Sequence, residues 1–280
     1  MASYLIGLIG SGIGLSLSPL LHEREADCHG VRYLYRVIDI DVLGVDAEAA
    51  GDLVRTGRRL GFDGFNITHP CKQTVLTEVD ELASDAATLG AVNTILFAGG
   101  RTIGHNTDWT GFARAFTRGL PGAPLRRVVQ LGAGGAGAAV AYALGTLGAE
   151  HVSVIDAEPG RARALVKRLG NARVEAADPS ELPDLVRNAD GLVHATPTGM
   201  AHSPGMPLPA GLLRPDLWVA DIVYRPMVTE LLHEAGRRGC RTLNGGGMVV
   251  FQAADAFHLF TGLEPDTERM FAHFTDLIRA

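Results

Sequence analysis

Short apolar runs and amphipathic stretches follow one another along nearly the whole chain. Residues 4–9, 33–38 and 151–155 form short, largely apolar runs, as expected of strands buried in a sheet. Residues 248–260 and 266–278 carry apolar side chains at i, i+3 and i+4 spacing, which predicts helices with one buried face. The repeated alternation of strands and helices is typical of an α/β fold with a largely parallel sheet.

A glycine-rich turn joins a predicted strand to a predicted helix near the middle of the chain. The run from Gln130 to Gly137 is Gln-Leu-Gly-Ala-Gly-Gly-Ala-Gly, a G-x-G-x-x-G pattern, and the strand after the helix ends at Asp156. Such glycines let the backbone approach a pyrophosphate at a helix N-terminus, and an acidic residue about 20 positions later holds a ribose diol. The pattern alone is weak evidence in a chain with 35 glycines. The complete strand–turn–helix–strand–acid context predicts a dinucleotide-binding unit.

The position of this unit suggests how the chain is divided. A loop at residues 120–124, rich in Pro and Gly, lies directly before it. We therefore predict a first domain at residues 1–120 and a nucleotide-binding domain at residues 121–247. The helices of residues 248–280 follow the nucleotide unit and are predicted to pack back on the first domain. The 280 residues, 46% of them hydrophobic, are enough for two cores.

Charge and cysteine content exclude several classes of protein. The formal net charge of −6 argues against a nucleic-acid partner and against an anionic membrane. Cys28, Cys71 and Cys240 are scattered and odd in number, which predicts free thiols in a reducing compartment. The start has no recognisable secretory signal, and no apolar stretch approaches roughly 20 residues, so a cytoplasmic protein is expected.

Residues suited to acid/base chemistry occur in the first domain. The segment from Asn66 to Lys72 is Asn-Ile-Thr-His-Pro-Cys-Lys at the end of a predicted strand, and Asp108 lies just before a predicted helix. A nicotinamide cofactor exchanges hydride, so the protein has to move the proton of a substrate hydroxyl. Taken singly, Lys72 fits a solvated start of a helix over residues 72–89. Asp108 alone fits a helix N-cap, as does Ser18.

Seven short motifs of polar and small residues follow one another along the chain. They are Ser16-Leu17-Ser18-Pro19, Asn66-x-Thr68-x-Pro70-x-Lys72, Gly90-Ala91-Val92-Asn93-Thr94, Asn106-Thr107-Asp108, Ala195-Thr196-Pro197-Thr198-Gly199-Met200, Asp221-x-x-Tyr224-x-Pro226 and Gly247-Met248-x-x-x-Gln252. In this order, from about Ile6 to about Phe260, they resemble the shikimate/quinate dehydrogenase family. The resemblance implies an N-terminal α/β substrate domain, a Rossmann-type doubly wound parallel-sheet nucleotide domain and an active-site cleft between them.

The resemblance also implies roles for individual residues. Lys72 is implied to be the acid/base at the ring hydroxyl that becomes a ketone, with Asp108 paired to it. The implied substrate-binding residues are Ser16, Ser18, Asn66, Thr68, Asn93, Tyr224 and Gln252. The predicted cofactor-binding residues are Gly132, Gly134, Gly135, Ala136, Gly137, Asp156, Arg161, Thr196, Gly199, Met200, Val223, Gly245 and Met248. No metal site is expected, because the histidines lack ligand spacing.

Two positions depart from the family's pattern. Cys71 stands where relatives usually have an aromatic residue, which concerns local packing. Asp156-Ala157-Glu158 stands where NADP-using relatives have Asn-Arg-Ser/Thr, with Arg161 beyond it. Asp156 can accept both ribose hydroxyls but would repel a 2′-phosphate, and Ala157 offers no guanidinium for that phosphate. NAD is therefore the predicted cofactor.

The expected activity is NAD-dependent, reversible oxidation of the ring C3 hydroxyl of shikimate, quinate or both. The expected partner is thus a small hydroxylated ring carboxylic acid, and the protein is expected to be a monomer or homodimer. Alternatives are a biosynthetic NADP-dependent shikimate dehydrogenase and an enzyme for the amino-substituted ring acids. A non-enzymatic nucleotide sensor is a further alternative, although it would need a basic DNA-reading element that this chain lacks.

Overall fold

A computed structural model describes residues 2–279 of the chain. The chain divides into two compact units: Met1–Thr107 together with Val250–Ala280, and Asp108–Val249. The first boundary lies between Thr107 and Asp108, after the first residue of the helix Thr107–Gly119, whereas the sequence suggested the loop after that helix. The chain re-enters the first unit at Val250, inside a helix that begins at Gly246.

Strands and helices alternate along most of both units. The strands are β1 (Ser3–Gly10), β2 (Arg32–Asp39), β3 (Gly64–Ile67), β4 (Glu81–Leu82), β5 (Thr94–Ala98), β6 (Arg101–His105), β7 (Arg127–Leu131), β8 (His151–Ile155), β9 (Val174–Ala176), β10 (Gly191–His194), β11 (Trp218–Asp221) and β12 (Arg241–Leu243). The α-helices are α1 (Ser18–Cys28), α2 (Ile40–Leu43), α3 (Ala50–Arg59), α4 (Ser84–Leu89), α5 (Thr107–Gly119), α6 (Gly135–Thr146), α7 (Pro159–Leu169), α8 (Leu182–Arg187), α9 (Glu230–Arg237), α10 (Gly246–Thr261) and α11 (Thr267–Arg279). Short 3₁₀ turns lie at Ala47–Ala49, Thr74–Glu78, Pro179–Glu181 and Ala210–Leu212.

The first unit contains a six-stranded mixed sheet in the order β2-β1-β3-β5-β6-β4. β1 pairs in parallel with both β2 and β3, and β5 and β6 form an antiparallel hairpin. One apolar cluster packs Val54 of α3 against Phe65 and Ile67 of β3. A second cluster packs Phe257 of α10 against Ile6 of β1. Helices on the sheet therefore bury its apolar positions, as the alternating pattern indicates.

The last helix of the first unit is fixed by an ion pair between a buried glutamate and a partly exposed arginine. Glu25 of α1 is completely buried, and its carboxylate accepts from Arg269 Nη2 at 2.6 Å and Nε at 2.9 Å. The backbone N–H of Asp266 donates to the same carboxylate at 2.8 Å. These three N–H donors satisfy the buried carboxylate, and His29 Nε2 lies 3.1 Å from its Oε1, which is the condition under which burial of a carboxylate is tolerated. The ion pair fixes α11 against α1.

The second unit contains a six-stranded sheet in the order β12-β11-β10-β7-β8-β9, and all of its pairings are parallel. The chain runs outward from β7 through β8 to β9, then returns to the other side of β7 with β10. The strand order therefore reverses at β7, and ligands of such sheets bind beyond the carboxyl ends of the strands at this point. The predicted α/β fold, with a parallel Rossmann-like sheet after an N-terminal unit, is confirmed.

The single helix predicted over residues 72–89 is wrong. Lys72 lies in a turn that leads to the 3₁₀ segment Thr74–Glu78, followed by β4 and α4. β4 pairs with β6, and the flanking backbone N–H of Asp80 donates to the Thr102 carbonyl at 2.8 Å. Pairing with a distant strand outweighs the local helical pattern here, as tertiary context often does.

Candidate active site

The glycine-rich turn follows β7 directly and leads into α6. Gly132 has a φ of +103°, and a Cβ there would lie 2.4 Å from the carbonyl oxygen of Ala195. A Cβ at Gly137 would lie 2.3 Å from the carbonyl oxygen of Gly132. Gly134, the N-cap of α6, brings no capping side chain. The first N–H groups of α6 thus border a turn whose only side chain is the methyl group of Ala133, an arrangement suited to a phosphate group.

Asp156 connects the end of β8 to this turn. Its Oδ2 accepts from the backbone N–H of Ala133 at 2.8 Å, and its Oδ1 accepts from that of Glu158 at 2.9 Å. Arg161 Nη2 lies 2.9 Å from the Glu158 carboxylate. Arg161, the first basic residue after Asp156 in the sequence, is therefore already paired with an acid. Gly135 and Ala136 are the first two residues of α6.

The loop after β10 carries Thr196, Gly199 and Met200. Thr196 Oγ1 accepts from the backbone N–H of Thr198 at 3.3 Å. Gly199 has a φ of +92°, and its N–H donates to the carbonyl of Ser203 at 2.6 Å. The Met200 N–H donates to a carbonyl three residues earlier at 3.1 Å. These bonds give the loop a tight, defined course beside the end of β10.

A buried network that the sequence did not predict starts at His194. Its Nδ1 lies 2.9 Å from Asp221 Oδ1, and its Nε2 contacts the hydroxyl of Thr196. Asp221 Oδ2 accepts from the hydroxyl of Thr229 at 2.7 Å, and Oδ1 accepts from the backbone N–H of Val223 at 3.0 Å. The available signal was that His194 and Asp221 each end an apolar strand. Only the register of β10 on β11 makes them partners.

Four further predicted residues lie after β11 or at the start of α10. The Gly245 N–H donates to the Val223 carbonyl at 3.2 Å, and a Cβ at Gly245 would lie 2.1 Å from the carbonyl oxygen of Ile222. Met248 is buried in the first turns of α10. Burial raises the pKa of the Tyr224 hydroxyl, so this side chain stays a neutral hydrogen-bonding group across the neutral pH range.

In the first unit, a chain of buried hydrogen bonds connects predicted substrate residues. Asn66 Nδ2 donates to the hydroxyl of Thr94 at 3.0 Å, and that hydroxyl donates to Asn93 Oδ1 at 3.0 Å. Asn93 Nδ2 donates to the hydroxyl of Thr107 at 2.9 Å, and the Thr107 N–H donates back to Asn93 Oδ1 at 2.7 Å. The structure therefore brings Asn66 and Asn93 together at the ends of β3 and β5.

Tyr35 extends this chain to the serines, and the sequence did not identify it. Its hydroxyl donates to Asn66 Oδ1 at 2.8 Å and accepts from the hydroxyl of Ser18. The sequence predicted Ser18 to be the N-cap of α1, but Ser18 is the first residue of this helix and Leu17 is the N-cap. The backbone N–H of Ser18 donates to Ser16 Oγ at 3.3 Å.

Thr68 and Lys72 lie on the segment that follows β3. The Thr68 N–H donates to the carbonyl of Ile9 at 2.9 Å, which fixes the segment at the end of β1. The Lys72 carbonyl accepts from the N–H of Val92 at 2.9 Å, which fixes it to the segment that bears Asn93 and leads into β5. Lys72 itself is half-buried. Backbone bonds on both sides thus hold the Lys72 segment, so its position does not depend on a helix.

The remaining predicted residues lie on helices. Asp108 is buried and is the second residue of α5, so it is not the N-cap of that helix. It immediately follows Thr107, whose contacts with Asn93 fix the start of α5. Gln252 is half-buried on α10. Lys72 and Gln252 belong to the first unit, and Asp108 opens the second.

The described residues show neither a metal centre nor a membrane span. Across residues 2–279, no group of three or more His, Cys, Asp or Glu side chains is arranged to hold a metal ion. His22 is enclosed by aromatic rings, accepts from or donates to the Tyr33 hydroxyl at 3.0 Å, and has its pKa lowered by burial to about 3. Within the same range, no helix has the length and apolar character needed to cross a bilayer.

Two family models match the chain. The one described as "Shikimate dehydrogenase substrate binding domain" matches residues 8–95, and the one described as "Shikimate / quinate 5-dehydrogenase" matches residues 119–201. A shikimate dehydrogenase (NADP(+)) of Streptomyces avermitilis is 65% identical over 98% of this chain and 96% of its own length. A quinate/shikimate dehydrogenase (NAD(+)) of Corynebacterium efficiens is 48% identical over 98% of this chain and 99% of its own.

Solved structures agree with these relatives. Quinate dehydrogenase from Corynebacterium glutamicum in complex with NAD superposes with a TM-score of 0.92 at 46% identity, covering 99% of this chain and all of that one. Shikimate 5-dehydrogenase from Thermus thermophilus in complex with NADP(H) and shikimate superposes with a TM-score of 0.86 at 36% identity, covering 98% and 99%. The chain therefore belongs to the shikimate/quinate dehydrogenase family of NAD(P)-dependent oxidoreductases.

Proposed function

We propose that the protein oxidises the C3 hydroxyl of shikimate, quinate or both to the 3-dehydro ketone, reversibly, and that NAD is its preferred cofactor. The reaction class follows from family membership. The observation that carries the cofactor choice is the pairing at the end of β8, where Asp156 is followed by Ala157 and Arg161 is held by Glu158.

The glycine turn of the second unit fits a dinucleotide. The turn packs so closely that a Cβ at Gly132 or Gly137 would collide with backbone carbonyls, and the start of α6 supplies N–H groups for a pyrophosphate. When bound, the nicotinamide accepts hydride from the substrate carbon. We assign Thr196, Gly199 and Met200 to the same cofactor, because their loop follows β10, the neighbour of β7 at the point where the strand order reverses.

Residues of the first unit bind the ring acid in this proposal. Ser16 and Ser18 donate to its carboxylate, with help from the N-terminus of α1. The ring hydroxyls are bound by the side chains of Thr68, Asn93 and Gln252. The bonds of Asn93 to Thr107 and Thr94 leave its amide in one orientation, which favours a fixed hydroxyl partner.

Lys72 moves the proton in this proposal. It accepts the C3 hydroxyl proton as the carbon loses hydride, and it passes that proton to solvent, with Asp108 as the acidic partner. The composition supports a particular role for this lysine. Lys72 and Lys167 are the two lysines among 25 basic Lys and Arg residues. An arginine stays protonated in proteins, whereas a lysine can give up its proton, so of these two residue types only lysine can act as an acid/base group.

Support for NAD over NADP comes from charge at the ribose end of the site. A 2′-phosphate near Asp156 would meet a carboxylate, and the guanidinium of Arg161 is engaged with Glu158 at 2.9 Å. The relatives are divided, since the Streptomyces avermitilis enzyme is named for NADP(+) and the Corynebacterium efficiens enzyme for NAD(+). A biosynthetic NADP-dependent shikimate dehydrogenase is therefore the second candidate, favoured by the 65% identity to the former.

Steady-state kinetics decide between the two candidates. Shikimate, quinate and their amino analogues are each oxidised with NAD and with NADP, and formation of the reduced cofactor is followed by absorbance. We expect the higher kcat/KM with NAD, and turnover of shikimate, quinate or both. A higher kcat/KM with NADP would contradict the assignment of Asp156 and establish the second candidate.

A further inference from the structure

Gln130 is a buried amide in the middle of the nucleotide-binding sheet. It lies on β7, two residues before Gly132, and its side chain has no exposure to solvent. Its Nε2 donates to the Gly132 carbonyl at 2.8 Å and to the Gly137 carbonyl at 2.7 Å. One amide group therefore connects the strand side of the glycine turn to the first turn of α6.

The other half of this amide is unsatisfied. Among residues 2–279, Oε1 of Gln130 has no hydrogen-bond partner. The in-register neighbours of Gln130 are Val193 on β10 and Val154 on β8, and both are completely buried. A buried acceptor without a donor destabilises a fold, so an apolar side chain of the same size would suit this layer better. An amide in such a place is typical of a residue retained for function at the expense of stability.

We propose that Gln130 is a positioning residue for the dinucleotide, an inference that rests on cofactor binding at the glycine turn in the proposed function. A Cβ on Gly137 would already collide with the Gly132 carbonyl, so the two sides of the turn are at contact distance. Two carbonyl oxygens directed at one region repel each other unless donors lie between them. The two N–H groups of Gln130 supply these donors and keep the turn closed. The backbone N–H groups at the start of α6 then converge on the pyrophosphate.

The test is a substitution that keeps volume and removes hydrogen bonding. Gln130→Met removes both the N–H donors and the unpaired Oε1. We expect the Kd of NAD, measured by calorimetry on the full chain without ring acid, to rise at least tenfold. The thermal midpoint does not decide the proposal, because removal of the unpaired Oε1 stabilises the fold while removal of the N–H donors from the Gly132 and Gly137 carbonyls destabilises it. In kinetics, KM for NAD should rise in parallel, while KM for the ring acid stays within twofold and kcat within threefold.

Val193→Ala is the matched control. It creates a cavity beside Gln130 in the sheet but removes no donor from the Gly132 and Gly137 carbonyls. It should lower the thermal midpoint and leave the Kd of NAD within twofold of wild type. Gln130→Leu is the second substitution at the site and should behave like Gln130→Met. The proposal is overturned if both Gln130 variants bind NAD within twofold of wild type, or if Val193→Ala weakens NAD as much as they do. It is also overturned if neither Gln130 variant folds, since the role would then be structural.

The calorimetry separates this proposal from the proposed reaction. A wild-type protein that binds NAD or NADP but oxidises no ring acid contradicts the reaction, and the comparison of Gln130→Met with wild type still decides the role of Gln130. For that comparison, the better-bound dinucleotide is the probe. A wild-type protein that binds neither dinucleotide overturns the role of Gln130 as well.

Discussion

The Nδ1 atom of His194 lies 2.9 Å from Oδ1 of Asp221, and both side chains are sealed from solvent. The two residues end neighbouring parallel strands in the same register. On one side the pair contacts Thr196, and on the other it accepts from Thr229, the N-cap of α9. A Cβ on Gly199 would lie 3.3 Å from Thr229, so the same network also borders the loop after β10.

Removing His194 should destabilise the second unit strongly. His194→Ala leaves the buried Asp221 carboxylate without its imidazole partner, and such a loss costs about 3–5 kcal/mol. His194→Asn should recover much of this, because its amide can donate to Asp221 from a position near that of Nδ1. The free energy of unfolding in urea is the measurement. A loss below about 1 kcal/mol in His194→Ala would show that the pair contributes little.

Lys72→Ala should abolish most activity with the fold intact. Loss of a general acid/base lowers kcat by roughly 10²- to 10⁴-fold. Lys167→Ala is the matched control, since Lys167 is the only other lysine and is exposed on α7. Its kcat should equal that of wild type, and both variants should unfold at the wild-type temperature. Near-wild-type turnover in Lys72→Ala would remove this residue from the mechanism.

The cofactor choice should respond to charge at the end of β8. The double substitution Asp156→Asn with Ala157→Arg removes the carboxylate and adds a guanidinium that binds phosphate. We expect the ratio of kcat/KM for NADP over NAD to rise at least tenfold, or about 1.4 kcal/mol. Asp184→Asn, at an exposed position on α8, is a control for the loss of one negative charge. An unchanged ratio in the double variant would argue that other residues select the cofactor.

Tyr35→Phe should weaken binding of the ring acid. It removes the hydroxyl between Ser18 and Asn66 and leaves Asn66 Oδ1 without this donor, at a cost of about 1–3 kcal/mol. We expect KM for the ring acid to rise about tenfold, as 1.4 kcal/mol implies. Tyr33→Phe is the control, because that hydroxyl bonds to His22 and not to Ser18 or Asn66. If KM for the ring acid changed equally in Tyr35→Phe and Tyr33→Phe, the Tyr35 hydroxyl would have no specific role in binding the ring acid.

Stability should fall in acid partly through His22. Burial lowers its pKa from 6.5 to about 3, so the folded protein keeps this imidazole neutral while the unfolded chain protonates it. Between these two pH values the unfolded state therefore binds more protons than the folded state. The contribution of His22 to the free energy of unfolding is complete above pH 6.5 and is lost progressively as the pH falls towards 3. The loss is about 1.4 kcal/mol per pH unit well below 6.5. Urea unfolding at pH 7.5 and 5.0 should show a smaller difference for His22→Leu than for wild type, whereas His258→Asn, at an exposed site, should not change it.

Local patterns predicted the parts of this fold that depend on local chemistry. The run from Gln130 to Gly137, with a strand before it and Asp156 after it, specifies β7, α6 and β8, since Gly132 and Gly137 stand where a Cβ would collide with the backbone. The helices α10 and α11 follow from apolar spacing. These features need no knowledge of distant residues, which is why the sequence suffices for them.

Features that depend on distant pairing were not predictable in the same way. Lys72 was expected to start a helix, but the pairing of β4 with β6 breaks the segment. Ser18 has the residue type of an N-cap, but it is the first residue of α1, and Leu17 is the N-cap. His194 and Asp221 lie 27 positions apart and meet only through strand register. The roles proposed for the site residues themselves stay predictions until the variants are measured.

The ion pair between Glu25 and Arg269 has a consequence for how the protein is made. Because α11 belongs to the first unit, we expect that unit to complete its fold only after residues 267–279 have left the ribosome. The unit Asp108–Val249 is continuous and can fold earlier during synthesis. We therefore expect nascent chains ending near residue 249 to resist protease within residues 108–249 and to be cut within residues 2–107. Equal resistance of both regions in such chains would contradict this order.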